Sequence, residues 1–294
     1  MKYKLLLLDI DGTLRPGSCE QIPKENAAAV RAVQKAGVKI AIATGRGRTG
    51  VGKGLLRDLK PDYWVCAGGA QLVDAKGNDL ALHRLTAEEM YALVDFFEDY
   101  ELPLRFTFHD ANYAYIDFAE FDRREKAKNL YNNIVDGEDQ DRHLIDMPHS
   151  AFAAVPPEHV ADFMAKYGHL NLNWMQVGAK NADGYCFYDI VRGGMDKGVG
   201  LTDLCARLDL PLEETVAAGD SANDLSMLRT AGLGVCMDNG TEDAKAAADR
   251  VIGDVREDGL AALIEELWFD GPKAEPSGRD LGSAWAQIES AGGQ

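Results

Sequence analysis

The chain has 294 residues, 46% of them hydrophobic and 27% charged, a composition typical of a globular protein with one or two domains. Its 48 acidic and 31 basic residues leave a formal net charge of −17, which argues against a nucleic-acid partner because a polyanion would be repelled. The first apolar run, residues 5–8, is too short for an export signal, and no stretch approaches the roughly 18 apolar residues of a membrane span.

The five cysteines are scattered, odd in number and without a C-x-x-C pair. This spacing argues against structural zinc and favours free thiols in a reducing compartment, so a cytoplasmic protein is expected. The cysteines are Cys19, Cys66, Cys186, Cys205 and Cys236.

The first eighty residues follow a β-α-β-α-β pattern. Residues 3–8 form a continuous apolar run, typical of a strand that is buried on both faces. Helical spacing of apolar residues predicts a helix over 23–36, and residues 38–43 and 63–67 predict two further buried strands. Strands that alternate with helices indicate a mostly parallel sheet with helices on both faces.

The middle of the chain, from about 81 to 187, indicates an α+β insert. Thr86 and Glu89 predict a capping box at the start of an amphipathic helix. After that helix we expect two antiparallel strands, a charged helix, a strand, a helix that begins at Pro157 and a last strand. The strands are predicted over 104–108, 113–118, 152–155 and 171–177.

Alternating helices and strands return after the insert, and the pair Gly193-Gly194 is a plausible hinge at the return point. Beyond residue 270 the chain is rich in Gly, Pro and Ser, which predicts a loosely attached tail. The predicted elements are helix 197–208, strand 215–218, helix 225–230, strand 233–237, helix 242–248, strand 250–252 and helix 260–267.

Four short polar segments are placed at the predicted carboxyl edge of the core sheet, where ligands bind in open α/β folds. Each alone has a plainer interpretation, as an acidic turn, an ordinary βα turn, an exposed lysine or a helix N-cap. Together and in this order they are far more specific. The segments are Asp9-Ile10-Asp11-Gly12-Thr13, Thr44-Gly45-Arg46, Asp196-Lys197-Gly198 and Gly219-Asp220-Ser221-Ala222-Asn223-Asp224.

This set resembles the four motifs of the haloacid dehalogenase superfamily. The first two motifs leave no room for a cap between them, and the long insert follows the second motif, as in the C2-capped, Cof-type phosphatases of subfamily IIB. The resemblance implies an α/β fold, a Rossmann-like doubly wound parallel-sheet core with an inserted α+β cap domain. The implied domains are a catalytic core over 1–81 and 188–270, a cap over 82–187 and a tail over 271–294.

The resemblance also implies catalytic roles. Asp9 would be the nucleophile that attacks phosphorus, and Asp11 would be the general acid for the leaving alcohol and then the base that activates water. Lys197 would neutralise charge near Asp9 and the phosphoryl group. Thr44 and the Gly45 amide would hold phosphate oxygens, and Arg46 and Asn223 are counted among the substrate-binding residues.

The implied cofactor is Mg2+. Its ligands would be the Asp9 carboxylate, the Asp11 backbone carbonyl, Asp220 and Asp224, with Asp224 and Asn223 also orienting the site. Mg2+ and Lys197 would remove the repulsion between a carboxylate nucleophile and a phosphate dianion.

Asp11 has to carry a proton while Asp9 does not, so a raised pKa is expected at Asp11 from the neighbouring negative charge. General acid–base help of this kind contributes about 10²–10⁴ in rate. Departure of a halide needs no proton, so Asp11 favours phosphate esters over dehalogenation.

The sequence departs from the Cof-type pattern at two places. Gly68-Gly69-Ala70 stands where such chains usually have Asn-Gly-Ala, and Met237-Asp238-Asn239-Gly240 stands where they have Met-Gly-Asn-Ala. We expect these departures at Gly68 and Asp238 to affect substrate contacts and cap docking, while the four motifs stay intact.

The loop after the second strand also contains two nucleotide-binding lookalikes. Residues 45–50 fit G-x-G-x-x-G, and residues 47–54 nearly fit a Walker A loop, although Gly54 replaces its Ser or Thr. A dinucleotide site would need this loop after the first strand, so nucleotide binding is disfavoured. Arg46 and Arg48 could instead screen the substrate's anion.

The aromatic side chains of the predicted cap occur at strand spacing, and most of them are interpreted as part of the hydrophobic core of the cap. One or two of them, especially Tyr113, Tyr115 or Trp174, could instead stack on a sugar. The histidines His109, His143 and His149 lack a metal-ligand arrangement and are interpreted as structural or exposed.

The sequence thus predicts an Mg2+-dependent phosphatase of a small phosphomonoester, plausibly a sugar phosphate, that forms an aspartyl phosphate. The alternatives are a phosphomutase or phosphotransferase with the same intermediate, and a non-catalytic binding module, which would be expected to lack Asp9 or Asp11. A small phosphorylated metabolite is the expected partner of a monomer or small homo-oligomer. These roles require the loops that begin at Asp9, Thr44, Lys197 and Asp220 to converge on one pocket.

Overall fold

A computed structural model describes residues 2–17, 19–52, 54–127, 134–138, 141–177, 180–181 and 183–269. The predicted tail over 271–294 and Lys53 of the Walker-like loop lie outside the described residues. None of the described helices combines the length and the apolar character that a bilayer crossing demands.

The described residues form fourteen strands and eight α-helices. The strands are β1 Leu5–Asp9, β2 Lys39–Ala43, β3 Tyr63–Cys66, β4 Gln71–Asp74, β5 Asp79–Leu82, β6 Leu104–Thr107, β7 Asn112–Ile116, β8 Ile134–Asp136, β9 Ser150–Val155, β10 Leu172–Gln176, β11 Cys186–Arg192, β12 Thr215–Gly219, β13 Leu233–Met237 and β14 Arg250–Ile252. The helices are α1 Lys24–Lys35, α2 Ala87–Asp99, α3 Phe118–Ala127, α4 Pro157–Tyr167, α5 Lys197–Leu208, α6 Leu225–Thr230, α7 Glu242–Ala247 and α8 Gly259–Trp268.

The chain divides into two compact units. Unit 1 contains the described parts of Met1–Ile42, Gly54–Tyr63 and Cys205–Gln294, and unit 2 contains those of Ala43–Lys53 and Trp64–Leu204. These two units are defined by which parts of the chain pack together. The predicted boundaries of the core, the cap and the tail remain predictions.

Unit 1 is built on a parallel sheet whose strands follow the order β14-β13-β12-β1-β2. The pairs β1–β12, β12–β13 and β13–β14 are all parallel. The four leucines of β1 are fully buried, as expected for a strand covered on both faces. Helix α1, which buries Val30 and Val33, packs against α8. Trp268 of α8 donates a hydrogen bond from Nε1 to the Tyr3 carbonyl, 3.0 Å away.

Unit 2 contains the β4–β5 antiparallel hairpin and a six-stranded sheet with the order β10-β11-β9-β6-β7-β8. In this sheet only the β7–β8 pair is parallel among the described residues. Helices α2 and α4 contribute Phe96, Phe97 and Phe163 to one buried cluster with Phe106 of β6. The predicted antiparallel pair β6–β7 and the helix start at Pro157 are confirmed.

The structure differs from the predicted elements in one helix and in four strands. Between β2 and β3 the described residues contain a 3-10 turn, Arg48–Gly50, and no α-helix, so the second helix of the β-α-β-α-β pattern is absent there. Five glycines between residues 45 and 54 explain this, because glycine disfavours helix interiors. The strands β4, β5 and β8 were not predicted.

The strand β11 was also not predicted, and it crosses the predicted boundary at residues 187/188. It pairs with both β9 and β10, so its register depends on strands that are distant in sequence. The position of such a central strand is determined by the strands with which it pairs, and turn residues in its own sequence do not define it.

Candidate active site

Two of the predicted acidic residues lie at the carboxyl ends of neighbouring parallel strands. Leu8 of β1 pairs with Ala218 of β12, Asp9 ends β1, and Asp220 directly follows β12. Asp9 is only 7% exposed. The strand register therefore brings these two carboxylates to the same edge of the sheet.

Three carboxylates form a cluster at this edge. Asp9, Asp220 and Asp224 each offer an oxygen, and these oxygens all lie within 4.8 Å of one another. Oxygen donors at this density suit a hard divalent cation, and without one the three negative charges would repel. The cluster could therefore hold a metal ion.

Asp224 also organises the turn that carries Asp220. Its Oδ2 accepts hydrogen bonds from the backbone N–H groups of Asp220 and Ser221, each at 3.0 Å. Ser221 and Asp224 form a capping box on the 3-10 turn Ala222–Asp224, and Asn223 Oδ1 accepts a bond from Ser221 Oγ. The sequence offered two interpretations of this segment, a helix N-cap and a set of metal ligands, and both concern the Asp224 carboxylate.

The loop after β1 fits closely around Asp220. Gly12 has a φ of +96°, and a Cβ on it would lie 2.5 Å from Asp220 Cγ. Thr13 donates a hydrogen bond from Oγ1 to Asp220 Oδ1, 3.1 Å away. Glycine is needed here both for its backbone conformation and for the close approach, and Thr13 sets the orientation of the carboxylate.

Asn239 fixes the same loop from another side, a role that was not foreseen. Its Nδ2 donates to the Gly12 carbonyl at 2.8 Å, and its Oδ1 accepts from the Val255 N–H at 2.9 Å. Within residues 237–240, Asn239 agrees with the Cof-type pattern. This agreement was the sequence signal that could have pointed to its role. The departure at Asp238 is an exposed carboxylate that pairs with Lys245.

Asp11, the predicted general acid, lies next to a buried arginine. Arg15 Nε donates to Asp11 Oδ1 at 2.8 Å, and Arg15 Nη2 donates to the same oxygen. A guanidinium favours the ionised carboxylate, which works against the proton that a general acid has to carry. The raised pKa expected at Asp11 stays a prediction.

In unit 2, Thr44 and Arg46 shape the predicted phosphate loop. Thr44 is buried, and its Oγ1 accepts a hydrogen bond from the Arg46 N–H at 3.2 Å. The Arg46 carbonyl accepts from the Ala67 N–H and the Thr44 carbonyl from the Gly68 N–H. The loop after β2 is thereby tied to the turn after β3.

Asp189 of β11 is a second unforeseen residue. A Cβ on Gly45 would collide with Asp189 Oδ2, so this carboxylate lies directly against the predicted phosphate loop. Burial raises the pKa of Asp189 to about 7, although the charges of Arg105, Lys197 and Arg46 lower it. A lone acid in an otherwise apolar strand segment was the only sequence signal.

Lys197 is fully buried at the first position of α5. The preceding Asp196 caps the helix by accepting a hydrogen bond from the Val199 N–H at 2.9 Å. A Cβ on Gly69 would lie 2.7 Å from the Asp196 carbonyl carbon, so the turn after β3 packs on the start of α5. A buried ammonium requires anionic partners, and Asp189 is within its electrostatic reach.

The departure at Gly68 has a steric explanation. Gly68 adopts the left-handed conformation with φ 56°, and a Cβ there would collide with Met175 Cε and lie 3.2 Å from Met175 Sδ. Met175 of β10, which is partly buried, covers this glycine and packs against a small buried cluster of Ala67, Ala70 and Val191. Asparagine at residue 68 would require Met175 to move.

The aromatic and histidine side chains of unit 2 are mainly structural. Trp174 stacks near Phe97 with ring centroids 6.2 Å apart, and Tyr113 donates a hydrogen bond to Asp110. His149 is buried, and burial lowers its pKa to about 3, so it is neutral at pH 7. Tyr115 contacts His143 through its hydroxyl, 3.2 Å from Nδ1.

The structure thus brings together Asp9, Asp220 and Asp224 in unit 1. In unit 2 it brings Gly45, Arg46 and Lys197 around Asp189. The assigned roles of these residues, and their convergence on one pocket, stay predictions.

The geometry can be compared with known proteins. A family model described as haloacid dehalogenase-like hydrolase matches residues 6–264. The chain belongs to this family. Phosphatase YwpJ of Bacillus subtilis (strain 168) is 26% identical over 308 residues, covering 90% of this chain and 99% of the relative. Pyridoxal phosphate phosphatase YbhA of Escherichia coli (strain K12) is 46% identical over 76 residues, or 26% of this chain and 28% of that protein.

Solved structures share the fold. The subclass IIB sugar phosphatase BT4131 has a TM-score of 0.75 at 25% identity, covering 89% of this chain and 98% of that one. A haloacid dehalogenase-like hydrolase from B. subtilis has a TM-score of 0.76 at 24% identity, covering 90% and 99%. The predicted α/β class, the resemblance to subclass IIB phosphatases and the enzyme class, a phosphatase, are confirmed.

Proposed function

We propose that this enzyme hydrolyses a small phosphomonoester with Mg2+ and that Asp9 is the nucleophile. The observation that carries the proposal is the cluster of Asp9, Asp220 and Asp224 at the end of β1, whose oxygens lie within 4.8 Å of one another. The sugar-phosphatase activity of BT4131 supports a sugar phosphate as the substrate.

In the first step, an Asp9 oxygen forms a bond to phosphorus as the bond from phosphorus to the alcohol oxygen breaks. Asp11 gives its proton to that oxygen, so the alcohol leaves neutral. Thr44, the Gly45 amide, Arg46 and Lys197 are proposed to hold the phosphoryl oxygens, whose charge is spread in a loose transition state.

In the second step, Asp11 takes a proton from water, the water oxygen attacks phosphorus, and the bond to Asp9 breaks. Asp9, the Asp11 carbonyl, Asp220 and Asp224 would hold the divalent ion, and Asn223 would support this site. When bound, Mg2+ supplies positive charge that offsets the repulsion between Asp9 and the phosphate.

The proposed location is the cytoplasm. All five cysteines are free and four of them are buried, which suits a reducing compartment. The proposed partner is a small phosphorylated metabolite, bound by a monomer or small homo-oligomer.

The direct test is release of phosphate from p-nitrophenyl phosphate with and without Mg2+. We expect Mg2+-dependent turnover that Asp9→Asn lowers by at least about 10³-fold, because the amide cannot form the intermediate. The matched control is Asp58→Asn, an exposed aspartate that pairs with Arg31 outside the cluster, which should keep wild-type rates. Equal rates for Asp9→Asn and the wild type would remove Asp9 from its role. A panel of phosphorylated metabolites then identifies the substrate.

A further inference from the structure

The six-stranded sheet of unit 2 has two faces, and helices α2 and α4 cover one of them. On β11, Ile190 belongs to the buried cluster on that side and Tyr188 packs against it. Because side chains alternate along a strand, Phe187 and Asp189 lie on the second face, where both are half-buried. A Cβ on Gly45 would collide with Asp189 Oδ2, so the loop after β2 lies against this second face. The second face is thus part of the surroundings of the predicted phosphate loop.

Asp189 stands in an apolar part of this face. Directly opposite it on the neighbouring strands are Phe152 of β9 and Met175 of β10. Phe187, two residues earlier on β11, stacks on Phe152 with ring centroids 5.9 Å apart and an interplanar angle of 14°. One carboxylate bordered by aromatic and aliphatic side chains is typical of a small-molecule site, in which a few polar groups fix the orientation of the ligand.

The carboxyl of Asp189 is unfavourable for the stability of the folded state. Burial raises its pKa to about 7, even though the nearby charges of Arg105, Lys197 and Arg46 lower it. None of the described residues donates a hydrogen bond to this carboxylate. A residue kept only for packing would be apolar here, so a carboxyl in this place, next to a binding loop, is a candidate functional group.

We propose that Asp189 is a specificity-determining residue, whose carboxylate accepts a hydrogen bond from a hydroxyl group in the alcohol portion of the substrate. The inference rests on the proposed function, in which the Gly45 amide holds a phosphoryl oxygen. Asp189 Oδ2 lies against Gly45, so it is placed to meet a hydroxyl within a few bonds of the phosphate ester. Phe152 and Phe187 provide apolar surface beside it for the carbon skeleton. The substrate class is therefore a phosphorylated polyol or sugar.

Asp189 has a plainer explanation as a counter-charge for Lys197, whose ammonium is fully buried. In that case, loss of Asp189 would impair every substrate alike, because each one carries a phosphoryl group. Hydroxyl recognition instead predicts a loss confined to substrates that have hydroxyls, since only these lose a hydrogen bond. A site built to bond a hydroxyl also disfavours analogues that lack it. The two explanations are therefore separated by the choice of substrate.

The experiment uses pairs of substrates that are similar in shape, one member with hydroxyls and one without. The pairs are glucose 6-phosphate with cyclohexylmethyl phosphate, and glycerol 1-phosphate with propyl phosphate, all measured in saturating Mg2+. The selectivity is the ratio of kcat/KM for the hydroxylated member to kcat/KM for its counterpart, so a general loss of activity cancels. We expect the wild type to prefer the hydroxylated member of at least one pair by at least about tenfold.

The variants separate the hydrogen bond from the charge. Asp189→Ala should lower the selectivity by at least about tenfold. Asp189→Asn keeps an acceptor oxygen without the charge, so it should lower the selectivity less, by at least about threefold. Asp99→Ala is the matched control, because it removes an exposed aspartate of unit 2 that pairs with Lys166, and it should keep the selectivity of the wild type.

An unchanged selectivity in Asp189→Ala would overturn the inference while leaving the phosphatase assignment intact. If Asp189→Ala does not fold, as judged by circular dichroism, an unchanged selectivity in Asp189→Asn would overturn it instead. A wild type that hydrolyses p-nitrophenyl phosphate but prefers neither hydroxylated substrate would also overturn the inference alone. A wild type that is inactive on every phosphate tested would overturn the proposed function and this inference with it.

Discussion

Gly12 and Asp220 show how one missing side chain shapes the acidic cluster. The Asp220 carboxylate occupies the space that a Cβ on Gly12 would take, and the Gly12 φ of +96° already disfavours any other residue. Asn239 then holds the Gly12 carbonyl at 2.8 Å. The position of Asp220 relative to Asp9 thus depends on a glycine that carries no functional group.

We expect Gly12→Ala to weaken metal binding. The added methyl group pushes Asp220 out of the cluster, so the Mg2+ concentration for half-maximal phosphatase activity should rise by about 10–100-fold. A titration of activity with Mg2+ measures this. The control is Gly17→Ala, where a Cβ meets nothing within 4 Å, and it should titrate like the wild type. An identical titration for Gly12→Ala would show that Asp220 is not a metal ligand.

Among the secondary-structure elements, α2 is a helix whose start can be predicted from the sequence. Thr86 Oγ1 accepts from the Glu89 N–H at 3.1 Å, and Glu89 Oε2 accepts from the Thr86 N–H at 2.7 Å. The helix then buries Met90, Leu93 and Phe97 in the core of unit 2. A local cap and an apolar stripe are enough to define such a helix.

Replacing the cap should cost stability of a predictable size. Thr86→Ala leaves the Glu89 N–H without its side-chain acceptor, and we expect the free energy of unfolding to fall by about 1 kcal/mol. Urea denaturation followed by circular dichroism measures the change. Glu88→Ala, which removes a first-turn acid but leaves the capping box intact, should have a smaller effect. A larger loss for Glu88→Ala than for Thr86→Ala would contradict the role of the cap.

For the whole molecule, charge is the dominant quantity. The chain carries a net charge of −17 and gathers three carboxylates within 4.8 Å of one another, so like-charge repulsion is built into the native state. Asp189 makes a different unfavourable contribution to the stability of the folded state. Its half-buried carboxyl, with a pKa of about 7, binds a proton in the folded state under conditions where the unfolded chain has lost it.

This difference predicts a pH dependence of stability. Between pH 4 and 7 the folded state binds more protons at Asp189 than the unfolded state, so the free energy of unfolding attributable to this group falls as the pH rises. One pKa unit corresponds to about 1.4 kcal/mol, which sets an upper limit of about 4 kcal/mol over the shift from 3.8 to about 7. Asp189→Asn should therefore gain stability relative to the wild type from pH 5 to pH 7.5.

Urea denaturation at the two pH values measures that gain. Asp238→Asn serves as the control because it removes an exposed carboxylate and should show no comparable change. A stability difference between Asp189→Asn and the wild type that is constant with pH would mean that Asp189 is ionised in the folded protein.

The sequence by itself determined the α/β class, the acidic residues that follow β1 and β12, and the helices with clear caps. These features depend on local signals: the leucine run of β1, the Thr86–Glu89 box and the spacing of Asp9 from Asp11. Tertiary structure decided the rest. Strand register brought Asp9 to Asp220 and Asp224, and chain folding brought Asn239 to Gly12 and Asp189 to Gly45. The physical reason is that such contacts have no period or spacing along the chain, since they form only when separate segments are packed to within a few ångströms.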